Sequence, residues 1–378
     1  MNNNKLLNNL SRNMTDIFQQ QADVKVTIFL VICIIVLFVV MILYLYNKRH
    51  LDSKNCNNLD KIYDKFPLIS SIHPIQEKFQ YLLRDYYIKT AYNCCCSGDF
   101  KNNFVNICAL KHCIQQGARC LDFQIYSVDN KPVIAASSMD DYFIKETYNS
   151  IPFDEVLNVI NDYAFAGSTS PNPRDPLLLH FRINSNNKDI YNIMATNIQD
   201  ILASKVLDKE YSYEFEGYNL GAVPLANFLG KVIIIIDRTN NLFEDTNLKE
   251  YCNIASNSIF MRAIRNYDVL YNPNIDELTY FNKKDMTIVM PDLTATDENY
   301  APGLPFSYGC QMVGMNFQNF DANMEFYDIM FDEANSAFIL KPLHLRYIPL
   351  TIKDPDPQDP KLSYANRTVE SDYYKFNI

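Results

Sequence analysis

Five histidines and ten cysteines are the scarce reactive side chains of this chain of 378 residues. His180 sits in an apolar run, Leu177-Leu178-Leu179-His180-Phe181-Arg182-Ile183-Asn184, where it alternates with Arg182 and Asn184. In an extended strand a period of two puts these three on one face. An imidazole beside a permanent guanidinium suits contact with an anion, so His180 and Arg182 are candidate anion contacts; a buried structural ion pair is the commoner use of such an arginine. Cys94-Cys95-Cys96 could hold a metal or cycle electrons. Its spacing fits no zinc pattern, no two further ligands stand near it, and it suits free thiols better than a disulfide framework. His112, with Cys108 and Cys113, falls on one helix-like stretch and reads as packing and surface.

These groups need elements to hold them. Strand-like runs cover 86–91, 120–126, 133–136, 177–183, 231–237, 258–265, 287–291 and 311–317. Several are apolar throughout, Val232-Ile233-Ile234-Ile235-Ile236 most of all, as parallel strands buried on both faces are. Helix-like stretches at 104–117, 153–163, 189–206 and 248–256 alternate with them. Alternating strands and helices at this count predict an α/β fold of the (β/α)8 barrel type.

Residues 26–46 carry no charge and are apolar at nearly every position. Twenty-one residues at about 1.5 Å rise span roughly 31 Å, the thickness of a bilayer core, so a single transmembrane helix is expected. Tyr44 and Tyr46 sit where an interfacial aromatic belt belongs. Lys48, Arg49, Lys54 and Lys61 follow the span while Lys5, Arg12 and Lys25 precede it, a small excess that favours a cytosolic large domain. Asn9 and Asn13 head glycosylation sequons that would be used if the tail were outside. The lipid bilayer is then a partner, on a viral or host internal membrane. The wealth of Asn, Ile and Tyr, with nine Gly and no Trp, points to an AT-rich genome such as a protist's or a large DNA virus's. A net charge of −10 excludes nucleic acid, which needs concentrated Lys and Arg. Residues 1–25 read as a polar tail, 47–62 as a linker, 63–350 as the globular domain and 351–378 as a loose tail.

Three phrases late in the chain carry a family resemblance. Asn299-Tyr300-Ala301-Pro302 is followed by Gly309-Cys310-Gln311-Met312-Val313-Gly314-Met315-Asn316-Phe317-Gln318 and then Phe338-Ile339-Leu340-Lys341-Pro342. They resemble, in order and spacing, the NYNP, GCQMVALNFQT and GYVLKP phrases of the eukaryotic phosphoinositide-specific phospholipases C. The resemblance implies a TIM-type barrel with an X half over 80–184 and a Y half over 219–346, joined by a short connector. It implies a phosphoric diester hydrolase in which the inositol 2-hydroxyl attacks its own phosphodiester. Two histidines move protons there, and a calcium ion held by Asn, Glu, Asp and Glu neutralises phosphate charge. No calcium-binding helix-loop-helix and no C-terminal β-sandwich are expected; the membrane helix would replace such targeting modules.

The same alignment implies that the frame is kept and the reactive groups are lost. Tyr86 to Asn93 resembles YFINSSHN, with Tyr92 at the first histidine and Asn93 at the calcium-binding asparagine. Gly117 to Gln124 resembles GCRCVELD, with Asp122 at a ligand Glu and Gln124 at a ligand Asp. Pro132 to Ser138 resembles PVIYHGH, with Ser138 at the second histidine. Leu177 to Asn184 resembles VILSLENH, with Arg182 at the last ligand Glu, where it could pair with Asp122. Ile235 and Asp237 stand at two phosphate-binding lysines, and Ile288 at an arginine. Losing one general acid or base costs about 10²–10⁴ in rate. One neutral ligand and one shortened carboxylate hold too little charge for a hard cation. The resemblance thus implies a calcium-free pseudoenzyme serving binding or assembly, the alternative being a divergent active hydrolase of phosphoinositides.

Overall fold

Apolar runs make the wall of the barrel. The computed structural model describes residues 3–139, 144–213, 219–349, 362 and 364–378. Its eight parallel barrel strands are β1 (Tyr86–Ala91), β2 (Cys120–Val128), β3 (Leu177–Ile183), β4 (Val232–Asp237), β5 (Ile254–Ser256), β6 (Met261–Arg265), β7 (Met286–Met290) and β8 (Met312–Met315). They pair in the order β5-β4-β3-β2-β1-β8-β7-β6. Strands β1, β3, β4 and β7 are buried end to end, as wrapping by helices requires. Between β5 and β6 no ladder is described. Residues 257–260 join them without a helix, so the ring is nearly closed.

Two expectations are corrected here. Residues 133–136 do not form a barrel strand. Lys131–Ala135 folds back antiparallel on β2, because Asp129 and Asn130 both take positive φ (50° and 57°) and make a two-residue hairpin turn. The strand that completes the ring is β5, inside the stretch 248–256 read as helical. Only the turn Asn247–Glu250 is helical there, and three residues are too few to show a period.

Helix α1 (Asn3–Ile62) precedes the barrel, and α2 (Ile107–Gln115), α3 (Phe153–Tyr163) and α4 (Lys188–Leu202) cross between the first strands. The short α5 (Asn266–Leu270), α6 (Ile275–Lys284) and α7 (Gly303–Ser307) serve the later ones, and α8 (Ala322–Ala334) follows β8. Asn106, Asn187, Asn274 and Asp321 cap α2, α4, α6 and α8 by accepting backbone N–H bonds, which fixes where each helix leaves the mouth or base. Of the Tyr-rich connector after α4, residues 214–218 lie outside the described residues.

From Val24 onward α1 is long and apolar enough to cross a membrane, with a mean hydropathy of 3.6 and none of its most apolar window buried by protein. The expected polar tail and linker are corrected: both are helical extensions of this segment from Asn3 to Ile62. No Pro or Gly interrupts the chain there, and a nucleated helix propagates cheaply. Residues 47–62 are a docked stalk. Asn106 donates twice to the Asp52 carboxylate (3.0 Å each), and Asn55 donates to Asn103 Oδ1 (2.8 Å). His112 pairs with Asp60 (2.9 Å), and Tyr63 donates to the Phe317 carbonyl (2.7 Å). Cys56 and Cys108 are disulfide-bonded, with Cα atoms 5.9 Å apart, which corrects the reading of Cys108 as packing. Cys94, Cys95 and Cys96 are free and buried.

The chain divides into two units, Met1–Arg346 and Tyr347–Ile378. The second, expected as a loose tail, contains an antiparallel hairpin of Thr368–Glu370 with Lys375–Asn377; residues 350–361 and 363 lie outside the described ones.

Candidate functional site

The site is assembled from the mouth ends of β1, β2 and β3. Asp122 on β2 lies in register with His180 on β3, and Gln124 with Arg182. Residues two apart on a strand share a face, so these four project together into the barrel. Asn93, just past β1, adopts φ 43°, a left-handed conformation that asparagine tolerates better than most residues. That turn aims its backbone N–H at Asp122 Oδ2 (3.2 Å).

Asp122 is fully buried and saturated. Arg182 donates to it from Nε (3.0 Å, Oδ1) and Nη2 (2.7 Å, Oδ2), a bidentate pair. His180 Nδ1 lies 2.7 Å from Oδ1 and, since a carboxylate only accepts, donates to it. Burial alone would push the Asp122 carboxyl up. The Arg182 charge and the hydrogen bonds from His180 and Arg182 outweigh it and hold the group well below the usual carboxylate range. Arg182 also donates to Asn93 Oδ1 (2.8 Å) and stacks over the Tyr92 ring at 4.7 Å. Arg265 donates to the Tyr92 hydroxyl (3.1 Å) and to the Pro291 carbonyl (2.9 Å).

Above this cluster lies a cleft of ≈ 210 Å³ lined by Arg182, Asn184, Asp237, Asn257, Arg265 and Asp268 among others. Of the residues singled out in the sequence, Tyr92, Asn93, Asp122, His180 and Arg182 are brought together. Asp237 reaches the cleft wall, where its carboxylate accepts from Thr239 N (2.7 Å). Ile235 and Ile288 are fully buried and offer an anion nothing. Ser138 is held elsewhere: its hydroxyl donates to Glu146, and its backbone N–H donates to the same oxygen (2.8 Å). Glu146 also pairs with Lys101 (2.8 Å). Its carboxyl, raised by burial, is pulled down to about 2 by the bonds from Lys101 and Ser138. Gln124 accepts from Ser137 N (3.0 Å), while its Nε2 is buried with no partner among the described residues.

His180 corrects its expected role as an anion contact. It is fully buried, and its Nε2 lies 3.0 Å from Ser256 Oγ, so both ring nitrogens are engaged. Ser256, His180 and Asp122 thus repeat the connectivity of a nucleophilic relay. Ser256 has no exposed surface, however, and the carboxylate is shared with Arg182, so no substrate atom can reach the hydroxyl. Sequence reasoning missed Ser256, Glu146 and Arg265. Ser256 and Arg265 are the last residues of β5 and β6, and strand ends are where barrel sites are built; that signal required the strands to be assigned first.

Comparison with known proteins agrees with this architecture. The X-domain model of phosphatidylinositol-specific phospholipase C matches residues 79–238, beyond the expected X half, and its Y-domain model matches 235–344. A 1-phosphatidylinositol 4,5-bisphosphate phosphodiesterase of Drosophila melanogaster is 34% identical over 96 residues, 25% of this chain and 9% of that protein. The Homo sapiens 1-phosphatidylinositol 4,5-bisphosphate phosphodiesterase beta-2 is 33% identical over 85 residues, 22% of this chain and 7% of that protein. Among solved structures, PLC21 of S. officinalis superposes with a TM-score of 0.60 at 18% identity, covering 74% of this chain and 39% of that one. PLC21 of L. pealei gives 0.57 at 18% identity, covering 71% and 38%. The chain therefore spans under half of these structures and less than a tenth of the curated relatives, and the structural likeness establishes the barrel alone. With both halves of the barrel matched in order over the domain that carries the site, the chain belongs to the phosphatidylinositol-specific phospholipase C family.

Proposed function

We propose that this chain is a membrane-anchored phospholipase C-like barrel whose catalytic centre is closed, used for binding or assembly at a bilayer rather than for turnover. One observation carries the reading: Arg182 grips Asp122 with both arms and bonds Asn93, two of the groups that the resemblance assigns to calcium. A calcium ion needs about six to eight oxygen ligands. Asp122 has its acceptor positions taken, Gln124 is neutral and engaged, and a guanidinium stands among them. No group of three or more His, Cys, Asp or Glu side chains among the described residues is arranged to hold a metal ion. These residues do not fit calcium, and no catalytic step is assigned through it. Proton transfer lacks a carrier as well. Tyr92 stacks under Arg182 and receives Arg265, and Ser138 is tied to Glu146.

The cleft retains two arginines, Arg182 and Arg265, beside Asp237 and Asp268. This mixed lining suits a polar headgroup carrying both donors and acceptors better than a polyphosphate. The helix at residues 26–46 supplies the bilayer contact, and partner proteins in an assembly are the other use of such a scaffold.

The test is release of water-soluble inositol phosphate from vesicles of phosphatidylinositol, with and without 5 mol% (about) of its 4,5-bisphosphate, by the full chain in detergent-free liposomes. Release no greater than a protein-free blank, and no change in melting temperature on adding calcium, are expected. Calcium-dependent turnover would overturn the reading in favour of a divergent active hydrolase.

A further inference from the structure

We infer that the barrel is carried on the oxidising face of its membrane, in the secretory lumen or outside, with its stalk locked by the Cys56–Cys108 bond; the inference rests on the anchoring proposed above. Two independent features of the cysteines support it. The first is the place of the bond. Asp52, Cys56 and Asp60 of α1, and Tyr63 just after it, meet Asn106 at the cap of α2 and Cys108, His112 and Gln115 within it in the same order, so the two helices run side by side in one direction. Helix α2 leads from the mouth end of β1 to the base of β2. The chain before Asp52, which includes the span, therefore leaves the domain at its mouth. Lys48 marks that exit, 3.8 Å from the centre of the Tyr148 ring. The disulfide clamps the stalk midway along this contact.

The second feature is the distribution of the other thiols. Nine cysteines lie outside the span, and seven of them (Cys94, Cys95, Cys96, Cys113, Cys120, Cys252 and Cys310) are free and buried. The two that retain surface, Cys56 and Cys108, are the two bonded to each other. Burial also pushes the thiols of Cys95, Cys96, Cys120 and Cys252 up, so little reactive thiolate forms. A chain handled by oxidants needs this pattern, with each reachable thiol paired and each unpaired thiol out of reach. A reducing cytosol neither requires it nor preserves a bond that solvent reaches. The bond forms by exchange with a disulfide-bearing oxidant of that compartment. The two thiols give up two electrons and two protons, and the donor disulfide is reduced to a dithiol. The basic residues flanking the span, four after and three before, offer only a small opposing bias.

On the oxidising side the sequon Asn366-Arg367-Thr368 becomes available, and Asn366 is exposed beside the hairpin of the second unit. Asn9 and Asn13 would be reached instead if the domain faced the cytosol.

The full chain, expressed in cells with a secretory pathway, tests this through three readouts. Thiol labelling with a large maleimide after denaturation should leave two cysteines unreactive until reductant is added. Cys56→Ser should expose one thiol, Cys108, to labelling in the folded chain. Peptide N-glycosidase should remove one glycan that Asn366→Gln abolishes and that Asn9→Gln with Asn13→Gln leaves intact. Ten labelled thiols without reductant, or glycans confined to Asn9 and Asn13, would refute the inference. Alkaline carbonate extraction reads the anchoring separately. A chain released with its bond intact breaks the anchoring and leaves the oxidising compartment standing, whereas a chain that stays in the pellet with all thiols free does the reverse.

Discussion

Two arginines are sunk in this barrel, one at each end, and they are held in different ways. Arg119 precedes β2 at the base. Its Nη2 donates to the Ala164 carbonyl (3.1 Å), Ser170 Oγ (2.6 Å) and Asn172 Oδ1 (2.8 Å), all neutral oxygens, and also to the Asn172 carbonyl. Burial pulls this guanidinium down to about 10, with the nearby Asp175 working the other way. Arg182 at the mouth has a carboxylate in both arms. The base cation ties loops that carry no chemistry, and the protein bears its desolvation as the cost of a fastened floor. The mouth cation neutralises a fully buried acid. A barrel can thus hold a buried cation at either end by different means, with neutral oxygens at the base and a carboxylate at the mouth.

That contrast can be broken first by Arg182→Met. Leaving Asp122 buried without its guanidinium, with His180 and the Asn93 N–H still bonded to it, should cost about 3–5 kcal/mol in chemical denaturation. Adding Asp122→Asn should restore most of the loss, because the uncompensated charge goes with it; strictly additive losses would mean the pair is not coupled. Next comes Arg119→Met, expected to cost about 1.5–3 kcal/mol, the range for hydrogen bonds to a charged group. A loss as large as that of Arg182→Met would erase the distinction between the two ends.

Acid and base limbs sharpen the comparison further. The Asp122 pKa is depressed in the fold, so its contribution is present above the ordinary carboxylate value of about 3.9 and is lost as pH falls below it. Asp175, near Arg119, behaves oppositely. Burial raises it to about 6 despite Arg119, so its contribution is present below about pH 4 and is lost as pH rises toward 6. Asp175→Asn should flatten stability between pH 4 and 6 and leave the steeper acid limb in place, read from melting temperature across pH. An unchanged slope in that window would show that Asp175 titrates normally.

Much of the frame was legible and much of the site was not. Strands β1 and β3 and helix α3 fall on the residues that their apolar patterns marked, because long periodic runs bury one continuous surface. The short β5 was lost among turns, and the hairpin beside β2 passed for a barrel strand because turn geometry at Asp129 and Asn130 is invisible to a count of apolar residues. The Arg182–Asp122 pair could be anticipated, since strand parity and family position put both in the mouth. The bonds from Ser256 to His180 and from Arg265 to Tyr92 join residues 76 and 173 apart, and nothing local encodes them. The stalk's disulfide was equally hidden, because Cys56 and Cys108 sit on separate helices that only docking aligns.

The unpaired edge between β5 and β6 has its own consequence. Asn257 lines one side of the cleft and Arg265 the other, and the described bonds here include Ala263 N–H donating to Asn257 Oδ1 (3.1 Å) and Ser258 N–H donating to the Met261 carbonyl (3.0 Å). Everywhere else, widening the ring would tear a backbone ladder; here it need only release isolated bonds. Amide protons of β5 and β6 should therefore exchange with deuterium before those of β2 and β3, so that the wall gives way at one zipper and any guest of the cleft is admitted or gripped from that flank.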